Sequence, residues 1–110
     1  MLVELRIYQL RVGCLEKYLS RYRTVGFALQ SSHLGEPVGW YTVDVGPLNQ
    51  VVSLWQYADH EDRAKKRASL AANPEWRAFL EDITPFFETM ENRFLTPAAF
   101  NTAPSAAQKC

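Results

Sequence analysis

The spacing of apolar residues switches between two periods along this chain, and the order of the switches constrains the fold more than any other feature. Residues 2–10 alternate between apolar and polar side chains, as a strand does. Residues 14–32 place apolar or aromatic side chains at intervals of three and four, as an amphipathic helix does. Two strand-like segments follow at 40–45 and 51–57, and the turn chemistry of residues 46–49 between them favours an antiparallel hairpin.

The second half of the chain adds another helical region and a last strand. Asp59 is a candidate N-cap for a helix that runs to about residue 72, and Asn73 followed by Pro74 restarts the helix. Residues 90–95 predict a short strand. The order βαββαβ indicates an α+β protein with the ferredoxin-like fold, whose four-stranded antiparallel sheet carries its helices on one face.

The length and charge of the chain limit its organisation and its partners. The 110 residues are room for one domain, which we assign to residues 1–100, with a flexible tail at residues 101–110. The 12 basic residues balance the 12 acidic ones, which argues against broad nucleic-acid binding because that binding needs an excess of basic charge. No apolar run approaches the roughly 20 residues of a membrane span, so we expect neither nucleic acid nor membrane insertion.

Cysteine and histidine are sparse and widely spaced. Cys14 and Cys110 do not make a disulfide framework, and His33 and His60 stand far apart, so no zinc-ligand spacing is present. The Gly-rich fingerprints of nucleotide-binding and hydrolase sites are also missing from the sequence. We therefore expect no metal and no cofactor, and the cysteine content predicts a reducing cytoplasm.

The alternation in the first and third strands predicts what lies on each face of the sheet. We assign the aliphatic residues to the helix side, namely Val3, Leu5, Ile7, Val52 and Leu54. The other face then carries Glu4, Arg6, Tyr8, Val51, Trp55 and Tyr57. Burial of each large ring is worth a few kcal/mol at about 25 cal/mol per Å², so this face is expected to be covered. A second copy packed sheet against sheet would cover it, which predicts a homodimer, the dimeric α+β barrel, with a cavity between the sheets.

The charged residues of that face are the candidate site. Glu4, Arg6 and Tyr8 project side by side, with Trp55 and Arg93 alongside, and together they offer charge, a hydroxyl and an aromatic wall. Such a lining would hold a small polar or anionic molecule, or position an acid and a base. The alternative is that Glu4 only forms a solvated ion pair, with Arg6 or with Arg93.

Other polar residues are weaker candidates. His33 and His60 are expected to be surface residues. The basic run at residues 63–67 follows several acidic residues, and helical spacing spreads its charges around the axis, so we assign it to a solvated helix face.

Several stretches of the chain match one known family. They are Glu4-Leu-Arg-Ile-Tyr8, Val38-Gly-Trp-Tyr41, Gly46-Pro-Leu-Asn-Gln50 with Leu54-Trp-Gln-Tyr57, Asp62-Arg63 with Arg67, Asn73-Pro-Glu-Trp76 and Met90-Glu-Asn-Arg93. Over about residues 2–100 the chain resembles the NIPSNAP family and looks like a single-domain, bacterial-type member. The resemblance implies a dimeric α+β barrel without implying a settled activity. The chain departs from the pattern at Ser53, where many relatives have His.

Two main functions and one analogy remain open from the sequence. The barrel could bind a small molecule. It could be a non-catalytic interaction module, which the vesicle-traffic and mitophagy associations of eukaryotic relatives imply. By fold-level analogy alone, it could also be an enzyme like the cofactor-independent monooxygenases and isomerases.

Overall fold

A computed structural model describes residues 1–101 of the chain. The predicted flexible tail therefore lies outside the described residues except for Asn101. The strands are β1 (Leu2–Leu10), β2 (Gly39–Thr42), β3 (Gln50–Tyr57) and β4 (Phe87–Leu95). They form one antiparallel sheet in the order β2-β3-β1-β4, so β1 lies in the interior between β3 and β4.

The helices fill the two connections that the periodicity predicts. The first contains α1 (Leu15–Arg21), a π-helical turn (Tyr22–Gly26) and α2 (Phe27–Leu34), which follow one another without a break. The second contains α3 (His60–Ala72), α4 (Pro74–Ile83) and a 3₁₀ turn (Thr84–Phe86). No helix within residues 1–101 has the length and apolar character needed to cross a membrane.

Both predicted helix caps are confirmed. The Asp59 side chain accepts a hydrogen bond from the Asp62 backbone N–H at 2.8 Å, and Asn73 Oδ1 accepts from Glu75 N–H at 2.8 Å. Pro74 occupies the first turn of α4, where a missing N–H costs nothing. These caps and the strand pairing confirm the ferredoxin-like α+β fold.

The π-helical turn brings the first helical region close to α4. A Cβ atom on Gly26 would lie 2.4 Å from Cζ of the Phe79 ring, so only glycine allows this approach. The ring of Phe79 is buried and lies 5.3 Å from that of Trp76, centroid to centroid. The glycine that interrupts the predicted helix is therefore a packing requirement between helices.

The prediction of the two sheet faces is wrong, because the helices cover the face assigned to the partner. Glu4 and Trp55 pair directly across β1 and β3, and they are 0% and 1% exposed. The aliphatic residues lie on the open face and are half-buried, namely Val3, Leu5, Ile7, Val52 and Leu54. Alternation defines two faces but does not say which one the helices take when both are apolar. The helices cover the face that carries the large rings of Trp55 and Tyr57, because burying these rings removes more apolar surface from water than burying the aliphatic side chains does.

Candidate functional site

A cavity of about 340 Å³ lies between the sheet and the helices of a single chain. Its walls are mainly apolar and include Trp40, Trp76, Phe79, Ile83 and Phe87. The sheet contributes Arg6, Tyr8 and Ser53 to the lining, and the helices contribute Gln30 and Arg67. An apolar cavity with a few convergent polar groups is the usual form of a small-ligand site.

Beside the cavity, Glu4 is held in a dense network of hydrogen bonds. Arg63, from α3, makes a two-pronged contact, with Nε 3.1 Å from Oε1 and Nη2 3.0 Å from Oε2. Arg6 Nη1 and Asn92 Nδ2 also donate to Oε2, at 2.6 and 3.0 Å. Tyr57 Oη donates to Oε1 at 3.3 Å. Every lone-pair direction of this buried carboxylate is thus directed at a protein donor.

The network keeps Glu4 ionised. Burial alone would raise its pKa, but the hydrogen bonds from Arg63 and Asn92 and the positive charges of Arg6 and Arg67 outweigh burial and lower the pKa to about 2. A carboxylate so weakly basic does not accept a proton at neutral pH. Glu4 is therefore a positioning group for the arginines, and the predicted solvated ion pair is instead a buried one.

Arg6 connects this network to the cavity. Its Nη1 binds Glu4, and its Nε donates to the Tyr8 hydroxyl oxygen at 2.6 Å, while only 13% of its side chain is exposed. The Tyr8 ring packs edge-on against Phe87 at 5.2 Å between centroids. The Tyr8 oxygen accepts from Arg6, so its own proton is free to point into the cavity.

Arg67 reaches the same cavity from α3, and it forms no ion pair with any of the described residues. Its Nη1 is buried, and no group in residues 1–101 accepts a hydrogen bond from it. Burial and the neighbouring Arg6 guanidinium lower the pKa of Arg67. Around the single carboxylate of Glu4 there are three guanidinium groups, from Arg6, Arg63 and Arg67, which leaves an excess of positive charge.

The assignment of residues 63–67 to a solvated face is wrong for the two arginines. Arg63 and Arg67 turn inward with buried Leu70, whereas Lys65 and Lys66 pair outward with acidic residues one turn earlier. Residues 63, 67 and 70 have the spacing of one helix face. That spacing, ending on an apolar residue, is the sequence signal that could have identified Arg67.

Of the five predicted site residues, four lie on the helix-covered face of the sheet and one, Arg93, lies on the open face. Glu4, Arg6 and Tyr8 form a hydrogen-bonded chain, and Trp55 lies behind it, donating from Nε1 to Ser53 Oγ at 3.0 Å. Arg93 pairs in register with Leu5 on the open face, where it binds Glu91 at 3.0 Å. Ser53, the position that departs from the family pattern, is in the cavity lining.

The comparisons with known proteins decide the family. The NIPSNAP family model matches residues 3–102. The chain belongs to the NIPSNAP family. A NipSnap homologue of Dictyostelium discoideum is 36% identical over 94 residues, which are 86% of this chain and 41% of the relative. This NIPSNAP chain thus spans less than half the length of that curated relative.

Solved structures agree with the family and the fold. A NIPSNAP-like domain protein of Burkholderia xenovorans is 42% identical, with a TM-score of 0.88, and the match covers 93% of this chain and 89% of the other. An antibiotic biosynthesis monooxygenase is 13% identical, with a TM-score of 0.65 over 89% of this chain and 99% of the other. At that identity the second likeness shows only that NIPSNAP and the monooxygenase share a fold.

Proposed function

We propose that this NIPSNAP domain binds a small anionic molecule with an apolar body, in the cavity between its own sheet and helices. The observation that carries the proposal is the buried Nη1 of the Arg67 guanidinium, which has no hydrogen-bond acceptor within residues 1–101. The expected site between two sheets is thereby replaced by one within each chain. The predicted ligand class, a small polar or anionic molecule, is narrowed to an anion.

The energetic reason is the cost of a buried cation without a partner. Leaving a buried donor unpaired costs about 1–3 kcal/mol, and more when the group is charged. An anion at Arg67 would recover that free energy and offset the repulsion from Arg6. The aromatic and aliphatic walls would gain about 25 cal/mol for each Å² of apolar ligand surface they cover.

The lining favours binding over catalysis. Within residues 1–101 no imidazole or carboxylate lines the cavity, and Glu4, the nearest acid, is held ionised at a pKa of about 2. Proton abstraction needs a base with a pKa nearer the working pH. The shared fold with the monooxygenase does not supply one.

The open face of the sheet supports a homodimer as a second part of the proposal. Its aliphatic stripe, Val3, Leu5, Ile7, Val52 and Leu54, is continuous across the central strands and only half-buried in the single chain. A second copy would cover it and leave both cavities intact. The same face is the surface that an interaction module would use. The location in a reducing cytoplasm stays a prediction.

A thermal-shift screen of monoacids, including naphthoate and octanoate, tests the binding proposal. We expect at least one acid to raise the melting temperature of the natural chain and not that of Arg67→Gln. The matched control is Lys65→Gln, since Lys65 is on the same helix but 76% exposed. The proposal is wrong if no acid binds, or if Arg67→Gln responds like the control.

A further inference from the structure

Three polar side chains that line the cavity, Tyr8, Ser53 and Gln30, each accept a hydrogen bond from another protein group. Tyr8 Oη accepts from Arg6 Nε at 2.6 Å, and Ser53 Oγ accepts from Trp55 Nε1 at 3.0 Å. Gln30 Oε1 accepts from the Tyr22 hydroxyl. Each of these three groups thus receives a hydrogen bond from a protein donor and keeps a donor of its own.

These three groups keep as donors the hydroxyl protons of Tyr8 and Ser53 and the Gln30 amide N–H₂, and Arg67 Nη1 adds a charged donor. Burial raises the pKa of Tyr22 well above its ordinary value, so this phenol keeps the proton that it gives to Gln30. The Tyr22 hydroxyl, itself in the cavity lining, therefore sets the amide orientation of Gln30. Tyr8, Ser53, Gln30 and Arg67 thus present donors to the cavity.

We infer that the cavity selects a carboxylate over its neutral isosteres, because a carboxylate is acceptor-only and the lining presents donors. This inference rests on the proposed function and names its ligand class. A carboxamide of the same shape would bring an N–H₂ group that finds few free acceptors, and an unpaired buried donor is costly. An amine would in addition face the charges of Arg6 and Arg67.

The same lining disfavours phosphate esters. A phosphate monoester carries close to two negative charges and three terminal oxygens, so its desolvation requires more donors than these few side chains supply. The other walls are largely apolar, with Trp76 and Phe79 on one side and Phe87 on the other. A cavity of about 340 Å³ is at the small end of ligand sites, which suits a carboxylate on one or two rings or on a medium chain.

Calorimetric titration with matched probes tests the inference. The probes are naphthoate against naphthamide, octanoate against octanamide, and naphthyl phosphate. For the natural chain we expect each carboxylate to bind at least about tenfold more tightly than its amide, because one unpaired donor is worth that much. Naphthyl phosphate is expected to bind more weakly than naphthoate.

Two substitutions change the donors with little change of shape. Tyr8→Phe removes a hydroxyl proton, and we expect it to weaken the carboxylates about tenfold while leaving the amides nearly unchanged. Gln30→Glu keeps an acceptor for Tyr22 but replaces the N–H₂ donor by a charged oxygen, so it is expected to abolish carboxylate binding. Tyr41→Phe is the control, since Tyr41 is 55% exposed and outside the cavity lining.

The outcomes separate the inference from the proposed function. If acids and amides bind equally well and Arg67→Gln abolishes both, the cavity binds ligands but the donor inference is wrong. If naphthyl phosphate binds more tightly than naphthoate, the carboxylate assignment is wrong. If none of the probes binds, the inference is overturned together with the proposed function. Far-ultraviolet circular dichroism shows that each variant is folded before it is titrated.

Discussion

Glu4 carries a buried negative charge on the helix-facing side of the central strand. Its folded-state pKa of about 2 lies below the ordinary value of 4.5. The ionised form is therefore favoured by folding, and the contribution to stability is complete above about pH 4.5 and lost as the pH falls towards about 2. A pKa shift of this size corresponds to a contribution of about 3 kcal/mol to the free energy of unfolding.

We predict that the free energy of unfolding falls by up to about 3 kcal/mol between about pH 4.5 and pH 2. Urea unfolding across this range measures the fall. Glu4→Gln should be less stable at neutral pH, because it removes the charge that pairs with Arg6 and Arg63, and it should lose this part of the acid dependence. Glu16→Gln, at an exposed position, is the control. An acid dependence in Glu4→Gln equal to that of the natural chain would contradict the prediction.

Single residues also show which parts of the candidate site could be predicted from the sequence and which could not. The chemical types in the first strand indicated a mixed polar site, and Glu4, Arg6 and Tyr8 do lie together. Arg67 was missed because the run of charges was assigned as a whole to a solvated face, without the spacing from Arg63 and Arg67 to Leu70 being considered. Its orientation depends on the phase of α3 against the sheet, which is set by Leu70 and by the Glu4–Arg63 contact.

At the scale of elements, the periodicity of the chain was sufficient for the strand order and the caps but not for the faces. The bounds of β1 and the N-caps of α3 and α4 agree with the prediction. Both faces of β1 carry apolar residues, so its alternation is compatible with either orientation. A charge on the buried face is acceptable only because partners from α3 and β4 meet it, and those partners are distant in sequence.

The contact between the π-helical turn and α4 gives a prediction at this scale. Gly26→Ala would place a Cβ atom 2.4 Å from the Phe79 ring, which is buried and has little freedom to move. We expect a loss of about 1–3 kcal/mol from overpacking, against a gain of about 1 kcal/mol in helix propensity. Thermal unfolding measures the net loss. Ser32→Ala, exposed on α2, is the control, and a Gly26→Ala variant as stable as this control would show that the contact relaxes freely.

At the scale of the whole molecule, the two faces of the sheet differ in what covers them. One face and the helices enclose the cavity, and the open face presents an aliphatic stripe. The topology could be predicted from local patterns, whereas the cavity could not, because it is formed by side chains from all four strands and from α1, α2, α3 and α4. The aromatic rings from which the dimer was predicted are covered by the helices, so the proposed dimer contact is now the aliphatic stripe of the open face.

We predict that Leu5→Asp converts a dimer into a monomer. Leu5 lies on the open face in the middle of β1, and burying a carboxylate at a sheet-to-sheet contact would be unfavourable even opposite Arg93, because the desolvation of an ion pair can exceed its attraction. Light scattering should give twice the mass of the chain for the natural protein and the single mass for the variant. Val12→Asp, at a site 89% exposed, should stay dimeric. A monomeric natural protein at micromolar concentration would exclude this interface.

The role of Arg67 as an anion site is tested most directly by the unfolding free energy of Arg67→Met, measured in denaturant with and without naphthoate or octanoate. Without ligand, the variant should be about 1–3 kcal/mol more stable than the natural chain, because a side chain whose buried Nη1 finds no acceptor within residues 1–101 is replaced by an apolar one. With ligand, only the natural chain and the control Lys65→Met should gain stability. A variant that is less stable without ligand, or that gains as much from the acids as the natural chain, would contradict the assignment of Arg67.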